Sequence, residues 1–176
     1  ATAAYPLLIP TYGMGPSLID IGPVQAQWYY DHAASTDEFI CDVSGAGYIY
    51  PPDFGKALKD PSGALSSFYD LTQKYMNRMD MHTLRLMGVG APDIAQAGKD
   101  LPKVAFLMPD YGQQGEKSYS DYTYTLPTGQ PVFRAGSYGP GSKNMADEVR
   151  SHVGATRPAF LSACIWNWGS NLKDIK

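Results

Sequence analysis

The segment Asp42-Val43-Ser44-Gly45-Ala46-Gly47-Tyr48-Ile49-Tyr50-Pro51-Pro52 ends a strand-like run with glycines, two tyrosines and two prolines. Glycine allows the backbone to adopt positive φ or to approach a ligand closely. The prolines prevent the segment from continuing as a regular helix or a central strand. The segment therefore predicts a stiff loop at the carboxyl end of a strand, and this loop carries Ser44, Tyr48 and Tyr50.

The loop does not fit two common motifs. A dinucleotide fingerprint requires Gly-x-Gly-x-x-Gly at the start of a helix, but Tyr50 occupies the third glycine position and prolines follow it. A nucleophile elbow requires Gly-x-Ser-x-Gly, but Asp42 and Ala46 stand at its two glycine positions. Ser44 is therefore a poor candidate for a hydrolase nucleophile.

The stretch Gly45–Pro51 matches the signature Gly-x-Gly-Tyr-x-Tyr-Pro, and the chain resembles the GxGYxYP family of putative glycoside hydrolases. The segments Pro16-Ser17-Leu18, Gly22-Pro23 and Tyr29-Tyr30 extend the likeness to that family's C-terminal domain. The resemblance implies a carbohydrate-active domain of a secreted or periplasmic bacterial protein, with further domains before it. We therefore expect residues 1–176 to form a single α/β domain, as a fragment of a larger multidomain protein.

Composition and charge limit the kinds of ligand and partner that we expect this chain to bind. The chain has 176 residues, 44% of them hydrophobic, and a formal net charge of −3 with scattered Lys and Arg. This pattern does not favour a nucleic-acid partner, and no apolar run reaches the roughly 20 residues of a membrane span. The histidines are far apart and distant from the cysteines, so we expect no metal site and no cofactor. Cys41 and Cys164 lie in apolar runs that predict buried free thiols, with a disulfide as the alternative.

Strand and helix patterns alternate along the chain, which predicts a mainly parallel sheet. The predicted strands are Tyr5–Ile9, Glu38–Val43, Thr83–Met87, Lys103–Met108, Tyr122–Leu126, Pro131–Ala135 and Ala159–Ile165. The predicted helices are Pro23–Ala34, Asp53–Leu58, Ala64–Met79, Pro92–Gly98 and Ser142–His152. About six core strands are fewer than a closed eight-stranded barrel needs. With the resemblance, this predicts an incomplete or atypical (β/α) TIM-like barrel; an open doubly wound α/β sheet is the alternative.

Ligands of parallel sheets bind at the carboxyl ends of the strands. The loops predicted at those ends are Thr11–Ser17, Ser44–Pro52, Gly88–Pro92, Pro109–Asp121, Gly136–Gly141 and Trp166–Gly169. Their aromatic residues suit a sugar, which has partly apolar faces and a hydroxyl rim. The predicted substrate-binding residues are Tyr12, Ser44, Gly45, Gly47, Tyr48, Tyr50, Tyr111, Trp166 and Trp168.

Glycoside hydrolysis usually uses two carboxyl groups. Asp110 follows an apolar strand and is the first catalytic candidate, and Glu116, in a polar loop, is the second because loop carboxylates can act when a lid closes. Asp42 is expected to have a structural role. The resemblance also implies an acidic segment before this region in full-length relatives, and that segment is the alternative source of the second carboxylate. Arg134 is expected to face solvent on an edge strand, with pairing to a carboxylate as the alternative.

Two functions remain open from the sequence. The first is a glycoside hydrolase acting on oligo- or polysaccharide. The second is a non-catalytic saccharide-binding or assembly domain, whose strand edges would be covered by other domains of the parent protein or by other copies of the chain. Two carboxyl groups about 5 to 10 Å apart across an aromatic cleft would favour hydrolysis.

Overall fold

Strands and helices alternate in the computed structural model, which describes residues 11–110, 123–138, 147, 150–151 and 162–164. For Asp110 and for residues 135–138 and 162–164 it describes the backbone only. The strands are β1 Thr11–Met14, β2 Glu38–Cys41, β3 Thr83–Met87, β4 Phe106–Asp110, β5 Thr123–Thr125, β6 Pro131–Phe133, β7 Ala135–Tyr138 and β8 Ser162–Cys164. The helices are α1 Leu18–Ile21, α2 Pro23–His32, α3 Pro61–Arg78 and α4 Ala91–Asp100.

Six strands form one sheet in the order β1-β2-β3-β4-β6-β5. All neighbouring pairs are parallel except β5 and β6, which are antiparallel. Strands β7 and β8 form a second, parallel pair. The predicted mixed α/β class with a mainly parallel sheet is therefore confirmed, and both predicted arrangements, the TIM-like barrel and the doubly wound sheet, contain such a sheet.

The core lies between one face of the sheet and helices α3 and α4. Leu84 and Leu86 of β3 are fully buried there with Tyr69 and Met76 of α3 and Ile94 of α4. Because side chains alternate along a strand, Arg85 lies on the opposite face of β3. The sheet thus has a helix-packed face, and a second face that carries Arg85.

Helix α3 begins where its sequence supplies a cap. The Asp60 carboxylate accepts a hydrogen bond from the Gly63 amide at 2.9 Å, and Pro61 occupies the first turn, as is common at helix starts. Near the other end, Arg78 donates to Asp20 of α1 at 2.7 Å. Hydrogen bonds from Arg78 and from Tyr75 lower the pKa of Asp20. This exposed cluster fastens α1 to α3.

The turn between β5 and β6 packs against α4. A Cβ atom on Gly98 would come within 2.5 Å of Leu126 Cδ1, so glycine allows this close approach. The Gln130 amide donates to the Leu101 carbonyl at 2.8 Å. The antiparallel strand β5 is thereby held against the parallel sheet, at the end of the strand order.

Several predicted elements differ at the amino-terminal side. The segment Thr11–Ser17 was expected to be a loop, but Thr11–Met14 forms β1, in parallel register with β2. Its glycine and the following proline are typical of loops, and pairing with β2 overrides that local signal. The predicted strand Tyr5–Ile9 lies outside the described residues.

Three further predictions need correction. Residues Asp53–Leu58 form turns rather than a helix, because Gly55 adopts φ +75° and packs against Ala64. Pro61–Gly63 was expected in a turn but belongs to the first turn of α3. Part of the expected loop Gly136–Gly141 lies in β7. Of the predicted helix Ser142–His152, the described residues 147, 150 and 151 are helical.

Arg134 corrects the expected edge position. It is buried, and it directly follows β6, which lies between β4 and β5. Strand β5 folds back antiparallel on β6 and covers its outer edge. None of the helices in the described part of the chain is long and apolar enough to cross a membrane.

Candidate functional site

The signature loop follows β2 at the carboxyl end of the sheet, and Ser44 fastens it to β3. The Ser44 amide donates to the Arg85 carbonyl at 2.8 Å, and the Ser44 hydroxyl accepts from the Met87 amide at 2.9 Å. Ser44 has φ +67° and is fully buried. Its side chain therefore links backbone segments, and it is not exposed to a ligand as the predicted binding role would require.

Gly45 fits the loop against helix α3. It has φ +131°, and a Cβ atom there would lie 2.4 Å from Thr72 Oγ1 and 2.8 Å from Phe68 Cε1. The next amide, Ala46, donates to Thr72 Oγ1 at 3.0 Å, and Thr72 donates to the Phe68 carbonyl at 2.9 Å. Packing and backbone conformation together account for glycine at this position.

Gly47 has a different environment. No heavy atom of the described residues would lie within 4 Å of a Cβ atom on Gly47, and its φ lies outside the left-handed region. Neither packing nor backbone conformation within the described structure explains a glycine here. The position leaves bare backbone beside Tyr48.

Tyr48 and Tyr50 form an exposed aromatic corner. The side chains are 65% and 43% exposed, respectively. Their ring centroids lie 5.9 Å apart at an interplanar angle of 65°, and their hydroxyls are 3.5 Å apart. Tyr50 packs over Gly88 at the end of β3, where a Cβ atom would lie 2.8 Å from Tyr50 Cδ1. The loops after β2 and β3 therefore present one surface, as predicted for strand-end loops.

Tyr12 does not join this surface. It lies within β1 and is paired with Phe39 of β2, with ring centroids 6.1 Å apart. Phe39 in turn packs on Tyr30 of α2 at 4.7 Å. Tyr12 therefore shares the helix-packed face of the sheet, and its predicted position in a strand-end loop is wrong because Thr11–Met14 is itself a strand.

Asp110 is the last residue of β4 and is paired with Met87 of β3. Its backbone therefore lies at the carboxyl end of the sheet, close to the signature loop, and its position shares a face with Met87 and Arg85. Four other candidates lie outside the described residues: Tyr111, Glu116, Trp166 and Trp168. Their proposed roles stay predictions.

An ion pair that the sequence does not reveal lies at this end of the sheet. Arg85 Nε of β3 lies 3.2 Å from Asp42 Oδ1, and the two side chains are only 23% and 12% exposed. The available signal was a charged residue, Arg85, in the centre of an apolar strand. Asp42 is expected from the sequence to have a structural role, and the structure identifies Arg85 as its partner.

The described residues also bear on the metal and thiol predictions. No group of three or more histidine, cysteine, aspartate or glutamate side chains within them could hold a metal ion. Cys41 is a buried free cysteine, as predicted. Burial raises the pKa of its thiol well above the usual value, so it is not an activated nucleophile.

The fold and this surface define an α/β domain with an aromatic site at the ends of parallel strands. Residues 9–176 match the model of the GxGYxYP putative glycoside hydrolase C-terminal domain, and the chain belongs to this family. The resemblance stated from the signature is thereby confirmed.

A solved structure supports the fold. The chain is similar to a putative hydrolase from Bacteroides thetaiotaomicron VPI-5482, with a TM-score of 0.72 and 19% sequence identity. The match covers 94% of this chain and 33% of that protein, so this chain spans about a third of its length. No curated protein gives a significant match.

Proposed function

We propose that this domain binds oligo- or polysaccharide at the Tyr48–Tyr50 corner and hydrolyses a glycosidic bond there. The observation that carries the proposal is the exposure of two tyrosines on a loop fastened to β3 and α3 at the carboxyl end of a parallel sheet. Tyrosine rings stack on the apolar faces of sugars, and their hydroxyls can bond to the sugar rim. The family's description as glycoside hydrolases supports the same substrate class.

Gly47 adds a second line of support. Its neighbour Gly45 is explained by packing on α3, whereas no contact in the described structure explains Gly47. Glycine allows a ligand to approach the backbone closely. We therefore propose that the saccharide lies against Gly47 and Tyr48.

Asp110 is the proposed acid or base of hydrolysis. Its backbone lies at the carboxyl end of β4, which is the same end of the sheet as the aromatic corner. Hydrolysis of this type uses a second carboxyl group. We propose Glu116 for that role, with the acidic segment expected in full-length relatives as the alternative source.

Turnover of a glycan panel tests this proposal. The wild type should hydrolyse at least one glycan, Asp110→Asn should lose most of that turnover, and Tyr48→Ala and Tyr50→Ala should raise KM. Tyr12→Ala is a matched control, because Tyr12 is also an exposed tyrosine but lies within β1, on the helix-packed face of the sheet. Unchanged turnover in Asp110→Asn would remove this residue from the mechanism.

A non-catalytic binding or assembly role is the second candidate, and a specific surface favours it. Helices α1 and α2 expose Ile21, Val24 and Trp28, although Val24 and Trp28 share one face of a regular helix. A shallow apolar cleft of about 620 Å³ lies there, lined by Gly22, Pro23, Val24, Gln25, Trp28 and Tyr29. Exposed apolar patches often mark interaction sites. Glycan binding by the wild type without turnover would favour this candidate.

The family resemblance also supports proposals about context. We propose that the chain acts in a secreted or periplasmic bacterial protein, together with further domains of that protein or with other copies of the chain. Fractionation of the producing cells, with detection of the protein outside the cytoplasm, is the test of this location.

A further inference from the structure

The Asp42–Arg85 ion pair occupies the face of the sheet opposite α3 and α4. Three apolar residues lie beside it on this face: Ile40 precedes Asp42 by two residues, Met87 follows Arg85 by two, and Met108 is paired with Arg85; Asp110, paired with Met87, has its position on the same face. Ile40 and Met87 are buried. Apolar surroundings lower the local dielectric and strengthen hydrogen bonds made by charged groups.

Such a pair contributes little to stability by itself. Removing two charges from water costs about as much as their attraction returns, and apolar residues of similar volume often replace such pairs without loss. Packing beside the apolar residues Ile40, Met87 and Met108 does not by itself require a charge at Arg85. At 23% exposure, its side chain remains accessible to solvent.

Asp42 is placed so that it can orient the guanidinium group. One oxygen, Oδ1, lies 3.2 Å from Arg85 Nε. The other, Oδ2, lies against β1, where a Cβ atom on Gly13 would approach it to 2.3 Å. A side chain on β1 at this position would displace the carboxylate. Gly13 thus provides the space in which Asp42 faces Arg85.

Backbone hydrogen bonds and packing link the segments that carry the ion pair and the aromatic corner. Ser44 bonds to the backbone of both Arg85 and Met87, and Tyr50 packs on Gly88. Arg85 precedes Gly88 by three residues, which is about 10 Å along an extended strand. A saccharide that stacks on the tyrosines and continues along the sheet would reach Arg85.

We propose that Arg85 binds hydroxyl oxygens of the saccharide held at Tyr48 and Tyr50, and that Asp42 is the positioning residue for Arg85. This inference rests on the proposed saccharide-binding function. The guanidinium group can donate hydrogen bonds to sugar oxygens, and its ion pair with Asp42 restricts the directions in which it can point.

Binding to the same glycan panel, measured by titration calorimetry, tests the inference. Arg85→Gln should weaken binding of the preferred glycan by about tenfold or more. Asp42→Asn should weaken it less, and Arg85→Lys should restore part of the affinity. Arg78→Gln is the matched control, since it disrupts an arginine–aspartate pair on the exposed surface between α1 and α3 and should leave affinity unchanged.

The outcomes separate this inference from the function on which it rests. If Tyr48→Ala weakens binding but a folded Arg85→Gln variant binds like the wild type, Arg85 is not a ligand-binding residue and only this inference fails. If the wild type binds no glycan of the panel, both fail.

A chemical measurement covers the case in which Arg85→Gln does not fold. Phenylglyoxal modifies accessible arginines, and mass spectrometry of the folded wild type can follow Arg85. Saturating glycan should slow modification of Arg85 by about tenfold, while exposed Arg78 should react at the same rate with and without glycan. Equal reaction of Arg85 in both conditions would overturn the inference.

Discussion

Substitution of Ser44 by alanine should destabilise the protein, because its hydroxyl serves the fold. That oxygen accepts the Met87 amide at 2.9 Å inside a fully buried site. Alanine leaves this amide without its acceptor, and a buried unpaired donor costs about 1–3 kcal/mol. In a chain of this length, 1 kcal/mol corresponds to about 2–4 °C in Tm. We therefore expect Ser44→Ala to lower Tm by about 2–12 °C.

Two further variants separate the hydrogen bond from the backbone conformation. Ser44→Gly loses the same bond but relieves the cost of φ +67°, which is about 1 kcal/mol for a residue with a Cβ atom. It should therefore be less destabilised than Ser44→Ala. Ser67→Ala is the control, because Ser67 is exposed and bonds only within its own helix, to the Gly63 carbonyl.

Calorimetric melting of the four proteins provides the assay. The expected order of Tm is wild type close to Ser67→Ala, then Ser44→Gly, then Ser44→Ala. A Tm for Ser44→Ala within about 1 °C of the wild type would refute the structural role of Ser44. If that variant also lost glycan affinity, the predicted ligand-binding role of Ser44 would replace it.

Gly88→Ala should lower both Tm and glycan affinity, because the new Cβ atom would clash with Tyr50. Gly129→Ala is the control and should lower Tm alone, because Gly129 also has positive φ but no described atom lies within 4 Å of its Cβ. Equal glycan affinity in the two variants would contradict a role of the Gly88–Tyr50 contact in binding. Gly47→Ala should leave Tm unchanged and weaken glycan binding, measured by titration calorimetry, whereas retained affinity would show that no ligand approaches this position. The pKa of Asp20 is lowered on folding, so its contribution to stability is present above the ordinary value of 3.8 and is lost as the pH falls through the lower folded value. In urea unfolding, Asp20→Asn should therefore be less stable than wild type at pH 7 and should approach it below pH 3.8; a constant difference across this range would contradict the assignment.

Local patterns predicted the regular elements well. The three- and four-residue repeat of apolar side chains identified α3, and the apolar run Thr83–Met87 identified β3 with its observed bounds. These features depend on residues close in sequence, which is why a single chain reveals them.

The errors occurred where distant segments decide the structure. Tyr12 resembles a loop residue until β2 pairs with its segment. Arg134 was predicted to lie on an edge strand, but β5 pairs with β6 and covers that edge. Ser44 looks like an exposed residue in a glycine-rich loop, but its partners, Arg85 and Met87, are more than 40 residues away. Periodicity and composition contain no information about such contacts.

The signature itself combines two physical roles, and this determines how its variants should behave. Gly45 is required by packing on α3, and the Tyr50 carbonyl accepts the Asp53 amide at 2.9 Å in the turn that follows. Gly47 and Tyr48, in contrast, border open surface. Changes at Gly45 should therefore act through stability, and changes at Gly47, Tyr48 and the exposed ring of Tyr50 through ligand binding. A signature that served the fold alone would leave Gly47 and Tyr48 free to vary, so these two positions are the sharpest place to look for the ligand.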